Sequence, residues 1–270
     1  MHGIPASYRA VHAPRAELAR LVHGYWVIAD LDGAHRDHPV ITAPHLATVL
    51  TINVGRPCVA ADAPVAMRAS LLGIQSRART WCSDRECYFA MIMLAPGAVA
   101  RLFPACGPGI ADRQLELGEV LGDRDARGLQ ACVAAARSPE KICAALERWL
   151  LDRLASVRTA GTTVAFERAC AALVATGNVA RAAAEVGVSI RQLERWCASF
   201  VGHPPQTLAG IARVQRSLRA VQAGRGDARD GFADQAHQIR AWRRHLGVTP
   251  GRYRPSDMSP LRVPQLAQFL

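Results

Sequence analysis

The sequence contains almost no lysine and lacks any long apolar run. Lys141 is the single lysine, so arginine supplies nearly all of the positive charge. No stretch of about 18 apolar residues occurs, which excludes an ordinary transmembrane helix and predicts no association with a membrane. Residues 1–21 contain no apolar segment typical of a secretory signal, so we expect a cytoplasmic location.

Metal-binding spacings are also missing, although the chain has eight cysteines. No CxxC motif occurs, and the closest pair is Cys82 and Cys87. In a chain of this length without an export signal, cysteines in apolar surroundings are typical of reduced core thiols. We therefore predict neither a disulfide framework nor a zinc site, and no cofactor.

The N-terminal part contains short β-like segments separated by turn signals such as Asp32-Gly33 and Pro96-Gly97. Many short strands with regular turns are typical of a sandwich or small barrel. The sequence therefore predicts a mainly-β, barrel- or cupin-like domain. Its predicted strands cover residues 21–29, 39–42, 47–54, 70–74 and 88–94.

From Asp125 onward the pattern is helical. Ser138-Pro139 is a typical helix start, and an apolar stripe follows at helical spacing. This stripe either packs on the β domain of its own chain or pairs two protomers in a homodimer. The stripe consists of Ile142, Leu146, Trp149, Leu150 and Leu154.

These patterns predict a multi-domain chain in which an all-α domain follows the helical connector. The predicted boundaries are 1–125 for the β domain, 126–157 for the connector, 158–254 for the all-α domain and 255–270 for a tail. Residues 157–161 are the best linker candidate.

The positive charge is concentrated in the predicted all-α domain. Residues 1–125 are neutral overall and residues 126–157 carry +2, whereas residues 158–254 carry +9 of the total +11. A basic region separated from a neutral one indicates a polyanionic partner.

Residues 178–204 predict two short helices joined by a tight turn. Asn178 is a good N-cap, Gly187 supplies a left-handed residue after the first helix, and Ser189 caps the second. On the second helix, apolar residues point inward at Leu193, Cys197 and Phe200 or Val201. This pattern favours a helix-turn-helix whose second helix enters the major groove of double-stranded DNA. The opposite face carries Ile190, Arg191, Glu194, Arg195 and Ala198.

A second unit follows, and together the two resemble the AraC family of bacterial transcription regulators over residues 160–254. In the first unit the matching residues are Ala182-Ala183, Gly187-Val188-Ser189, Leu193, Arg195 and Gly202-His203-Pro204-Pro205. In the second they are Gly231-Phe232, Asp234-Gln235, Arg240, Trp242, Gly247-Val248-Thr249-Pro250 and Tyr253-Arg254.

The resemblance and the exposed faces together predict which residues contact DNA. Arg191 and Arg195 lie one turn apart and suit bidentate contacts to guanine. Glu194 either accepts from a cytosine amine or, as we favour, holds one of these arginines in place. We expect Arg243 and Arg244 to contact phosphate, and Trp196 and Trp242 to be core residues. The predicted DNA-binding residues are Ser189, Ile190, Arg191, Glu194, Arg195, Asp234, Gln235, His237, Arg240 and Arg244.

Residues 8–122 also resemble, more loosely, the β-rich sensor-type domain of some of these regulators. The matching segments include Tyr25-Trp26, Leu72-Gly73-Ile74-Gln75-Ser76 and Pro96-Gly97-Ala98. The resemblance implies a domain that binds a small-molecule effector or mediates homodimer formation. If the protein is an activator, RNA polymerase is a further partner.

The second unit departs from the family pattern. The spacing from Gly224 to Gly231 is about one helical turn short, and the residues between them favour no helix. Gln238 stands where the pattern has a large apolar residue, and Cys197 where it has an aromatic one. We therefore predict that the first unit reads bases and that the second mainly contacts phosphate.

Two other classes of function compete with a regulator. A metal-dependent β-barrel enzyme is one, because His35, His38 and His45 cluster in the β domain. The cluster lacks a well-spaced acidic ligand, so a surface loop is the favoured interpretation. The other is a regulator-derived interaction protein with impaired DNA binding, which a shortened second unit permits.

Overall fold

The computed structural model describes residues 7–33, 36–37, 39–62, 65–157, 160–225, 229 and 231–254. The predicted tail 255–270, His35 and His38, and part of the predicted linker lie outside these residues. Among the described helices, none is both long and apolar enough to cross a membrane.

The N-terminal half forms two antiparallel sheets. The larger is six-stranded with the order β1-β2-β8-β4-β6-β9, and the smaller is three-stranded with the order β3-β7-β5. The predicted mainly-β N-terminal region followed by an all-α region is thus confirmed. The strands are β1 Ser7–His12, β2 Val22–Asp30, β3 Val40–Thr42, β4 Thr48–Asn53, β5 Val59–Ala60, β6 Ala69–Leu72, β7 Arg79–Cys82, β8 Cys87–Leu94 and β9 Gln114–Glu116.

Nine α-helices are found in the described part of the chain. They are α1 Ala98–Leu102, α2 Leu117–Leu121, α3 Asp123–Ala135, α4 Pro139–Ser156, α5 Gly161–Thr176, α6 Val179–Glu185, α7 Ile190–Val201, α8 Pro205–Gln222 and α9 Gln235–Leu246. Short 3-10 turns occur at Ala16–Leu18, Gly107–Ile110 and Pro250–Arg252.

Helix α4 packs on the β domain of its own chain. Ile142, Leu146 and Leu150 are fully buried in the core that the strands of the larger sheet form. Glu147 accepts hydrogen bonds from Arg15 N at 2.9 Å and from Arg15 Nε at 3.0 Å. Of the two alternatives for the α4 stripe, packing within the chain is the one observed, so the stripe does not argue for a homodimer.

Candidate nucleic-acid interface

The predicted turn between α6 and α7 is formed as expected. Asn178 Oδ1 accepts a hydrogen bond from Arg181 N at 3.0 Å, which caps α6. Gly187 adopts a φ of 67°, and Val188 N donates back to Ala183 O at 3.1 Å. Ser189 Oγ accepts from Gln192 N at 3.2 Å and caps α7. Local capping chemistry therefore fixes the angle between the two helices.

Helix α7 buries one face and exposes the other. Leu193, Cys197 and Val201 are at most 1% exposed and pack with residues of α5, α6 and α8. Ile190 is 45% exposed, and Arg191 and Arg195 are exposed as well. The N-terminal half of α7 is consequently open to a partner, as the sequence predicted.

The prediction that Glu194 holds Arg191 or Arg195 is wrong. Glu194 Oε1 instead accepts a hydrogen bond from Gln206 Nε2, at 3.1 Å, at the start of α8. Arg195 donates to Gln192 Oε1, three residues earlier on α7. Because Glu194 faces α8, Arg195 finds its partner on its own helix.

Helix α9 has the same type of N-cap but presents a different surface. Asp234 Oδ1 accepts from His237 N at 2.6 Å, so both Ser189 and Asp234 act as helix caps. His237 is half-buried, edge-on to Phe232 with the ring centroids 5.4 Å apart. The exposed polar residues on this helix are Gln235, Arg240, Arg243 and Arg244.

A direct contact with α8 supports α9. Trp242 is fully buried and donates through Nε1 to Ser217 Oγ at 3.0 Å, and Gln238 Nε2 donates to the same hydroxyl at 3.1 Å. The polar residue at 238 is therefore accommodated because α8 offers it an acceptor. Trp242 is a core residue as predicted, whereas Trp196 is only half-buried.

The segment before α9 is the one whose spacing is short in the sequence, and its described residues contain no helix that could support α9. Between Gln222 and Gln235 the structure assigns no helix to the residues it describes, and residues 226–228 and 230 lie outside them. The second unit thus rests on α8 and on Tyr253, whose ring meets that of Trp242 at 5.7 Å between centroids.

Six exposed arginines on α6, α7 and α9 contribute to the positive charge of this region. In the part of the chain that the structure describes, none of them forms an ion pair with a carboxylate. Their charge is available to phosphate. They are Arg181, Arg191, Arg195, Arg240, Arg243 and Arg244.

Other arginines of the domain serve the fold. Arg213 donates to Gly177 O at 2.8 Å, and Arg216 donates to Ala175 O at 2.8 Å and to Thr176 O at 3.2 Å. These α8 side chains satisfy carbonyl groups left unpaired at the end of α5. The charge excess of the sequence therefore overstates the charge that faces a partner.

Residues 73–78 of the β domain contact both helix-turn-helix units. His203, after α7, donates through Nε2 to Ile74 O at 2.8 Å. His245, in α9, donates through Nδ1 to Ser76 O at 2.6 Å, and Ala78 N donates to His245 O at 2.7 Å. Burial lowers the pKa of His245, which keeps this side chain neutral near pH 7.

A cavity of about 210 Å³ is lined by residues of both sheets. Trp26 and Met91 line it from the larger sheet, and Trp81 lines it from the smaller. Gln215 of α8 also lines it, so the all-α domain contributes to its wall. The sequence carried no signal for this cavity, because residues distant in sequence form it.

His45, from the predicted histidine cluster, also lines the cavity. Its Nδ1 accepts from Ala47 N at 3.2 Å, and burial lowers its pKa to about 4. The other two histidines of the cluster lie outside the described residues. Among the residues that are described, no group of three or more histidine, cysteine or acidic side chains is arranged to hold a metal.

A capped helix pair, α6 and α7, and a second capped helix, α9, expose arginines that form no ion pair among the described residues, which is the surface expected of a DNA-binding domain. In agreement, residues 182–256 match the family model described as a helix-turn-helix domain. The match agrees with the predicted AraC-type helix-turn-helix region at these residues, and it supports a DNA-binding transcriptional regulator.

Comparison with individual proteins adds little to this identification. No curated protein matches the chain. The crystal structure of ToxT from Vibrio cholerae O395 is similar at 14% identity and a TM-score of 0.40, over 80% of this chain and 91% of that chain. At that TM-score the similarity carries no argument about function.

Proposed function

We propose that the protein regulates transcription by sequence-specific binding of double-stranded DNA, with α7 reading base edges and α9 mainly contacting phosphate. The observation that carries this proposal is the open arginine face of α7 on a helix that α5, α6 and α8 hold from behind. Arginine at this position suits bidentate contacts to guanine O6 and N7. Among the described residues that precede α9, no comparable supporting helix is present, which favours the less demanding phosphate contacts.

The salt dependence of binding tests the phosphate contacts. Fluorescence anisotropy with a duplex from the DNA flanking the gene is expected to give an affinity that falls steeply between about 50 and 200 mM salt. Arg243→Ala is expected to reduce the slope of log K against log salt by about 1, because one phosphate contact is lost. Arg148→Ala is the matched control, because Arg148 is an exposed arginine of α4 that lies outside the all-α domain. This substitution is expected to leave the slope unchanged. An unchanged slope for Arg243→Ala would contradict the assignment.

We further propose that a small, mainly apolar effector binds in the cavity. Its walls combine Trp26, Trp81 and Met91 with a few amide groups, a combination typical of small-molecule sites. Gln75 lies in the 73–78 segment and Gln215 in α8, and both line the cavity. A bound molecule therefore touches the two elements that position the helix-turn-helix units.

An uncharged fluorophore tests the cavity. N-phenyl-1-naphthylamine is expected to bind saturably at one site, with energy transfer from Trp26 and Trp81. Thr51→Phe fills the cavity from β4 and is expected to weaken binding about tenfold or more. Thr80→Phe makes the same change on β7, at a residue that does not line the cavity, and serves as the control. Equal affinities for the two variants would overturn the sensor proposal.

A further inference from the structure

Two thiols meet at the wall of this cavity. Cys58 Sγ and Cys87 Sγ are 2.9 Å apart, and both residues line the cavity. Cys58 directly precedes β5 of the smaller sheet, whereas Cys87 begins β8 of the larger sheet. The pair therefore lies where the two sheets come together.

Backbone contacts hold this pair in place. Gly55 N donates to Tyr88 O at 2.8 Å, and Arg56 N donates to Glu86 O at 2.9 Å. A Cβ on Gly55 would lie 2.1 Å from Glu86 O, so only glycine allows so close an approach. The chain just before Cys58 is thus seated on the start of β8, and the thiol contact is a consequence of the fold.

The two thiols differ in acidity. The hydrogen bond with the Cys87 thiol lowers the pKa of Cys58, and the same bond, together with burial, raises the pKa of Cys87. Cys58 is also the more accessible of the two. A more acidic thiol beside a less acidic one is the arrangement of an attacking and a resolving cysteine.

We propose that Cys58 and Cys87 form a redox-sensing dithiol that a hydroperoxide converts to a disulfide. The Cys58 thiolate attacks the outer oxygen of the hydroperoxide; an S–O bond forms, the O–O bond breaks, and the alkoxide or hydroxide takes up a proton. The Cys87 thiol then attacks the Cys58 sulfenic acid, which forms the S–S bond and releases water. Two thiols are oxidised by two electrons, and the hydroperoxide is reduced to an alcohol or to water.

The disulfide would join the two sheets covalently at the cavity wall. Cys87 lies opposite Asp30 in the β2–β8 register, and both residues line the cavity. Oxidation is therefore expected to change how the cavity accepts a ligand. This consequence rests on the proposed sensor function, whereas the disulfide itself does not.

The test uses the full chain with Cys132→Ser, because Cys132 is exposed and would add intermolecular disulfides. Treatment with hydrogen peroxide is expected to lower the intact mass of the protein by about 2 Da and to give a Cys58–Cys87 cross-linked peptide. Dithiothreitol is expected to reverse both changes. Cys58→Ser is expected to abolish the cross-link. With Cys87→Ser, Cys58 is expected to accumulate as a sulfenic acid that dimedone traps. Cys82→Ser, on β7 outside the cavity lining, is the control and retains the cross-link.

Three outcomes would contradict the proposed dithiol. The first is that no cross-link forms in the Cys132→Ser protein, and the second is that a cross-link forms equally well through Cys82. The third is that Cys58 is alkylated no faster than Cys82. An alkylation rate of Cys58 about tenfold above that of Cys82 at pH 7 supports it. A cross-link that leaves N-phenyl-1-naphthylamine affinity unchanged retains the redox site and overturns its coupling to the cavity.

Discussion

Replacing Arg191 and Arg195 together with alanine is expected to abolish sequence-specific DNA binding. A bidentate contact between arginine and guanine is worth about 1–3 kcal/mol of discrimination, so losing two should cost about 30-fold or more in specific affinity. Both side chains are exposed and neither forms an ion pair within the described structure, so protein stability should not change. DNase footprinting on the DNA flanking the gene, with a thermal melt of the same sample, measures both effects.

Arg240→Ala is the matched comparison for this experiment. Arg240 is an exposed arginine on α9 at the position corresponding to the base-reading face of α7. Because we assign α9 mainly to phosphate, Arg240→Ala should weaken binding to specific and scrambled DNA by similar factors. If Arg240→Ala removes sequence preference while Arg195→Ala leaves it intact, the assignment of base reading to α7 is wrong.

Gly202→Ala is expected to loosen the contact between the all-α domain and the β domain. Gly202 ends α7 with a φ of 73°, and a Cβ there would lie 2.3 Å from Pro108 O and 2.8 Å from Ala111 Cβ. A backbone oxygen cannot move aside as a flexible side chain can, so α7 must shift. We expect a loss of about 2–4 kcal/mol in the free energy of unfolding and faster exchange of the Ala78 amide, which bonds to His245 O across the domain contact.

Gly187→Ala provides the control, because it also places alanine at a left-handed glycine position but creates no clash with the β domain. Gly187 has a similar φ of 67°, but a Cβ there would meet nothing within 4 Å. Its cost is therefore backbone strain alone, about 1 kcal/mol, and the Ala78 amide should keep its slow exchange. Equal exchange rates in the two variants would mean that Gly202 does not hold the domains together.

Local patterns in the sequence were sufficient for the main elements. The strand predicted at 47–54 became β4 Thr48–Asn53, and the one at 88–94 became β8 Cys87–Leu94, because a short apolar run bounded by turn signals is typical of a buried strand. The turn at Gly187 and the caps at Asn178 and Ser189 were likewise predictable, since each depends only on neighbouring residues.

Contacts between distant residues could not be predicted. Strand β5 is two residues long and β9 is three, too short for any periodicity. The acceptor that Ser217 offers to Gln238 depends on how α9 packs on α8, which the sequence does not display. The same holds for the Cys58–Cys87 pair, whose members are 29 residues apart, one just before β5 of the smaller sheet and one in β8 of the larger.

The family pattern was informative where this chain follows it and also where it departs from it. The short spacing before Gly231 agrees with the lack of an assigned helix among the described residues of that segment, whereas the support that α8 gives to α9 was not foreseen. Glu194 failed as a prediction because its partner, Gln206, belongs to the next helix.

A competition assay tests sequence-specific DNA binding most directly. The full chain is bound at moderate salt to labelled DNA from the region flanking its gene, and unlabelled specific or scrambled duplex is then added. The structure predicts that the specific duplex competes at a concentration at least about 1000-fold lower than the scrambled one, as is typical of specific regulators. Equal competition by the two duplexes would show that the arginine surface binds DNA only non-specifically, and would contradict base reading by α7.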